Sequence, residues 1–110
     1  MQIDYRLAFN MAPVGLVLSN NRSITDCNQC LCDMFGASRE QLVGQSFQIL
    51  YPSVDEYERT GKRIAPILNR NGTYSDDRLM KRVDGRLKGD IFWCHVTGRG
   101  LNRGDPHESG

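Results

Sequence analysis

Histidine is scarce in this chain, and an excess of charge of either sign is missing. The 110 residues hold two histidines, His95 and His107, and 14 basic against 13 acidic side chains, for a net charge of +1. That balance supplies no field to draw nucleic acid or an anionic membrane surface. Long apolar runs are missing as well. The longest, residues 14–18, is interrupted by a glycine and falls far short of the roughly 20 residues a membrane-spanning helix needs. The opening MQIDYRLAFN lacks the basic start and apolar middle of a secretory leader. A cytoplasmic location is therefore expected, with no direct nucleic-acid or membrane partner. There is no internal repeat and no low-complexity segment. No glycine-rich loop leads into a helix that could cradle phosphate, since Gly98-Arg99-Gly100 runs on into a polar tail.

Local spacing ties no serine, cysteine or aspartate to either histidine, so nothing points to a nucleophile–base pair. The chain is not expected to be an enzyme. Four cysteines are present, three of them (Cys27, Cys30 and Cys32) within six positions, with Cys94 far along. Disulfide scaffolds spread their cysteines to tie loops together, so this clustering reads instead as reduced, small core residues. Four thiolates could also serve zinc or an iron–sulfur cluster. Against that, Cys30 and Cys32 on a helix would point about 200° apart. No metal and no cofactor is expected.

The periodicities then give an order of elements. Ile3, Leu7 and Met11 repeat every four residues and predict an N-terminal helix over residues 1–12, stopped at Pro13. Residues 14–18 and 22–27 predict a hairpin, turned at Ser19-Asn20-Asn21. Asn28 is placed to cap a helix over residues 29–35, which Gly36 stops. Ser38-Arg39-Glu40-Gln41 is a capping box, its helix stopped by Gly44, and one more helical turn follows. Ser53 caps a longer helix ended by Asn71-Gly72, with Gly61 and Pro66 inside it and Pro66 expected to kink it. Residues 73–83 and 87–101 predict two long strands joined at Asp84-Gly85, a strong hairpin dipeptide. In the second strand Phe92, Cys94 and Val96 fall on one face, and Ile91, Trp93, His95 and Thr97 on the other. The composition and length of the chain suit one domain over residues 1–110. The expected class is α+β, an antiparallel sheet with short helices packed on one face.

Four segments in this order resemble the PAS domain family of sensory and interaction modules: MAPVGLVL (residues 11–18), DCNQCLCDMFG (26–36), SREQLVGQSF (38–47), and KRVDGR (81–86) with FWCHVTGR (92–99). The resemblance implies a fifth strand at the centre of the sheet. Residues 102–110 resemble the loop that leads to it, so the last strand is expected to be missing beyond Gly110, along with a linked effector domain.

The resemblance also implies a site. Matching positions place a small-molecule pocket among Met34, Leu42, Phe47, Leu50, Ile64, Ile67, Leu68, Met80, Phe92 and Cys94, apolar apart from one thiol and two thioethers. Phe47 stands where photosensing relatives carry an adduct-forming cysteine, and residues 57–69 lack the histidine of haem-binding relatives. Dimerisation in the family implies an interface of Ile3, Leu7, Met11, Ile91 and Trp93. The resemblance thus implies a sensory domain that takes a small apolar or weakly polar ligand, dimerises, or does both, and so regulates a transcription-regulatory or kinase effector. A pure dimerisation module and a thiol or iron–sulfur sensor are the alternatives.

Overall fold

The computed structural model describes residues 5–84 and 86–100. Ile3, Gly85 and the expectations for residues 102–110 lie outside them. The elements run α1 (Tyr5–Met11), β1 (Val17–Asn20), β2 (Ser23–Cys27), α2 (Gln29–Phe35), α3 (Arg39–Leu42), a 3-10 turn (Phe47–Leu50), α4 (Val54–Asn71), β3 (Thr73–Lys81) and β4 (Ile91–Arg99).

Asn28 holds the first half together. Its backbone is extended, so it cannot continue the helix, and its side-chain oxygen accepts from the Leu31 N–H at the start of α2. The same oxygen accepts from Leu16 N at 2.8 Å, and the amide nitrogen donates to the carbonyls of Phe9 and Val14, both at 2.9 Å. Every hydrogen-bonding position of this buried amide is thereby filled. These bonds also explain why β1 begins at Val17 and not at Val14: the backbone of residues 14–16 bonds to Asn28 instead of to a neighbouring strand.

The β1–β2 hairpin turns at Asn21 and Arg22, both with positive φ (53° and 63°), the geometry of a tight two-residue turn. A bulge follows between Leu18 and Ser19. The far edge of β2 is covered by residues 44–47: Ile24 donates to the Gln45 carbonyl and Gly44 to the Ile24 carbonyl, both at 2.8 Å. The capping box at Ser38 and Gln41 forms in full. Ile24, Leu31, Phe35, Leu42, Leu50 and Met80 meet in one buried core with Cys27 and Cys32.

β3 and β4 pair antiparallel from Thr73↔Arg99 to Lys81↔Ile91. The link between them is longer than Asp84-Gly85 predicts, because residues 82–84 are drawn away to α2. Val83 N donates to Phe35 O at 2.8 Å, and the Arg82 guanidinium reaches the Met34 carbonyl. Gly36 makes this junction possible. It sits at φ 69°, and a Cβ there would lie 2.3 Å from the Asp84 carbonyl oxygen.

α4 runs unbroken from Val54 to Asn71 with Pro66 inside it. Pro66 is exposed, so the carbonyl it leaves without an N–H partner can be hydrated. The strands form two separate two-stranded sheets, β1–β2 and β3–β4. Among the described residues no strand joins β1 to β4.

Candidate functional site

Side chains alternate along β3 and β4. Ser75 and Asp77 on β3, and Ile91, Trp93, His95 and Thr97 on β4, face out and are exposed. Tyr74, Asp76, Arg78 and Met80 face inward, as do Phe92, Cys94 and Val96. Met80 and Arg78 are buried, but Tyr74, Asp76, Phe92, Cys94 and Val96 are only half-buried. Solvent therefore still reaches part of this inner face.

The predicted pocket residues separate within this frame. Leu42, Leu50 and Met80 are sealed in the core, with Met34, Phe47, Phe92 and Cys94 packed at its margin. The Phe92 ring lies 5.4 Å from Phe35, with the Arg82 guanidinium 4.6 Å from its centroid. Ile64 and Leu68 are buried on α4. Ile67 is 37% exposed, about 100° around the helix from Leu68, and turns to solvent instead of joining them. A hollow of about 510 Å³ between the start of α4 and the end of β3 is bordered by none of the ten.

The inner face is also more polar than the sequence suggested. Arg78 is 7% exposed. Its Nε donates to Asp76 at 3.0 Å, its Nη1 donates to the Tyr51 hydroxyl at 2.9 Å, and its Nη2 also reaches Asp76. Arg63 from α4 pairs with the other Asp76 oxygen. Burial alone would raise the Asp76 carboxyl, but the Arg78 and Arg63 guanidiniums outweigh it and hold the group below the ordinary carboxylate range.

A second guanidinium approaches from the β1–β2 turn. Arg22 lies 3.7 Å over the Tyr57 ring and donates to the Tyr57 carbonyl at 3.1 Å. It has room because position 61 is glycine: a Cβ there would come within 2.6 Å of the Arg22 Nη1. Tyr57 meets Tyr51 edge-on with centroids 5.6 Å apart, and the Tyr74 ring lies 5.5 Å from Arg78. Burial pushes the Tyr74 hydroxyl and the Cys94 thiol above their usual values. Sequence reasoning missed Arg22, Tyr51, Tyr57, Tyr74, Asp76 and Arg78. The signal for three of them was the two-residue period of β3, which puts Tyr74, Asp76 and Arg78 on the same face as Met80.

The cysteines are all free thiols. Cys27 and Cys32 are buried with their sulfurs 3.8 Å apart, while Cys30 and Cys94 are half-buried. Burial and then the Cys32 neighbour push the Cys27 thiol up to about 12.

On the outer face Trp93 is 70% exposed, with Ile91 beside it and Leu79 directly across the ladder. α1 does not cover Trp93. It contacts α2 and buries Phe9, leaving Leu7 and Met11 exposed. The cross-strand register does bring partners to His95 that local spacing could not reveal: Nδ1 lies 2.6 Å from Asp77 Oδ1 and Nε2 lies 3.0 Å from Ser75 Oγ. This triplet stands in the open on a strand face, where water screens the charge–charge coupling that activates a buried serine.

Comparison with known proteins agrees with this architecture. The sequence profile of the PAS domain family matches residues 13–109. The chain is similar to a crystal structure of the PAS domain, in complex with ethanol, of a LuxR-family transcriptional regulator from Burkholderia thailandensis. Identity is 53%, the TM-score is 0.88, and the match covers 97% of this chain and 91% of that one. A PAS domain from Colwellia psychrerythraea shares the fold at 21% identity, with a TM-score of 0.77 over 86% of this chain and 77% of that one. The sensor protein TdiS of Thauera aromatica is 29% identical over 102 residues, 93% of this chain. The match spans 18% of that relative's length.

Proposed function

The chain belongs to the PAS domain family, and from that premise we propose that it is a non-catalytic sensory domain. It takes a small molecule into the concavity between α4 and the inner face of β3–β4 and passes the change to a linked effector. The half-buried inner face carries this reading, because it leaves Tyr74, Asp76, Phe92, Cys94 and Val96 within reach of a small molecule. The ethanol complex of the 53%-identical relative supports it, since a small polar molecule is held by a closely similar domain. A cytoplasmic location fits the reading: among the described residues no helix is long and apolar enough to cross a membrane. A transcription regulator is the favoured effector and a kinase the second choice, after the LuxR-family and sensor-protein relatives.

In this reading residues 1–110 form one domain, and an extended segment lies between β1 and β4. Both strands present backbone groups on that side, and a strand there would join the two hairpins into one sheet. In this reading Met34, Phe47, Ile64, Leu68, Phe92 and Cys94 form the apolar margin of the site. The test is native mass spectrometry of the purified chain, followed by thermal shift against a metabolite panel. Retention of a small molecule, or a shift that grows with concentration, supports the reading. A protein that carries nothing and answers to nothing sinks it.

The second reading is homodimerisation through Leu7, Met11, Ile91 and Trp93. Two exposed apolar patches on one chain favour it, because a second copy could cover both at once. Light scattering should then give a dimer that Trp93→Glu or Leu7→Glu converts to monomer. A wild-type monomer at high concentration would exclude it.

A further inference from the structure

We infer that the ligand of this concavity is a small carboxylate, held between the Arg22 and Arg78 guanidiniums against tyrosine rings. The inference rests on the proposal above that the concavity binds a small molecule, and it adds the chemical class.

Charge is the first argument. Arg22 and Arg78 bring two positive charges to the inner side, and Asp76 brings one negative charge that it already shares with Arg63 near the surface. No carboxylate among the described residues pairs with Arg22. With Arg63 counted, three guanidiniums share one carboxylate, and positive charge is in excess. A half-buried charge without a counter-ion is costly, and an anion supplies the counter-ion.

Donor geometry is the second argument. A guanidinium carries five N–H groups. Three of those on Arg78 are used, by Asp76 and Tyr51, which leaves two. Arg22 spends one on the Tyr57 carbonyl, and the rest have no acceptor among the described residues. A carboxylate accepts from guanidinium forks better than any neutral group does. The Tyr51 hydroxyl, already an acceptor from Arg78, keeps its own proton to donate.

Shape is the third. Tyr57, Tyr51 and Tyr74 present rings and ring edges around the two cations, and Cys94 and Val96 extend the apolar wall along β4. An acid with a short hydrocarbon or ring body matches this lining, its carboxylate toward the arginines and its body toward β4.

The test compares acids with their neutral amides on the 110-residue chain by calorimetry, at constant ionic strength in chloride buffer. The probes are acetate, butyrate and benzoate against acetamide, butyramide and benzamide. At least one acid should bind about 10-fold or more tighter than its amide, the range expected for a charged hydrogen bond. Arg22→Gln should remove that preference, lowering acid affinity about 10-fold while amide affinity stays unchanged. Arg22 is chosen because Arg78 also holds Asp76 and Tyr51, so its loss could act through folding. Circular dichroism confirms that the variant is folded. Amides binding as well as the acids would overturn the carboxylate inference and leave the ligand-sensor reading standing. Acid preference unchanged in Arg22→Gln would overturn it as well. If no probe binds, the inference falls, and the mass-spectrometric test above decides the broader reading separately.

Discussion

β2 is held along both edges, by β1 on one side and by residues 44–47 on the other. β4 has a strand on one side only among the described residues. The difference continues in the side chains. Around β2 and α2 the core is dry, with Ile24, Cys27, Phe35 and Leu42 almost fully buried. Around β4 the inward residues are half-buried, and one of the two buried inward residues of β3, Arg78, is charged. Dry packing favours one rigid arrangement, since tight interiors tolerate little change of volume. A solvated, charged concavity can exchange water for a ligand with little strain. The molecule thus keeps a fixed end and a receptive end.

Substitutions should separate the two ends by magnitude. Phe35→Ala at the fixed end should cost about 3–5 kcal/mol, the loss typical of a buried phenylalanine, measured by urea unfolding. Asn28→Ala should follow at about 3 kcal/mol, because it strands two backbone N–H groups and two carbonyls in a buried place. Arg78→Met at the receptive end should cost less, about 2 kcal/mol. Asp76 keeps Arg63, so the carboxylate is not left alone. A larger loss at Arg78 than at Phe35 would break the comparison.

The smallest effect should be the response to acid. The folded state holds the Asp76 pKa below its unfolded value, so its stabilisation is present above about pH 4. It is lost as pH falls through the lower, folded value. Asp76→Asn should therefore lose that stabilisation near neutrality and flatten stability against pH below about 4, where the two proteins converge. A matching slope in both proteins would remove Asp76 from the account. Thiol labelling offers a check without energetics: iodoacetamide should modify Cys30 and Cys94 well before Cys27, whose thiol is buried and hard to ionise.

Much of the fixed end was legible in the sequence because its signals are local. Asn28 as cap, Gly36 as stop and the Ser38–Gln41 box each act within a few residues, and each stands where the spacing put it. The receptive end was less legible because its determinants are long-range. Arg22 and Tyr57 are 35 positions apart, and Tyr51 and Arg78 are 27 apart. The Asp84-Gly85 dipeptide predicted a tight turn, but the pull of Phe35 and Met34 on residues 82 and 83 overrode it. His95 meets Ser75 and Asp77 only through the strand register, which no spacing along one strand encodes. Ile67 turns to solvent for a simpler reason, since a position matched to the family's pocket lies outward when its side of α4 faces away from the sheet.

The Asn28 amide gathers Phe9, Val14, Leu16 and Leu31, none more than 19 positions away. Closing loops that short surrenders little chain entropy, whereas the Arg82–Met34 contact must close 48 positions. Residues 9–35 can thus nucleate while the later hairpin is still searching, and β3–β4 then docks onto a surface already assembled. Pulse-labelling hydrogen exchange during refolding would register that sequence of events as early protection around Ile24 and Leu31 and later protection along β4.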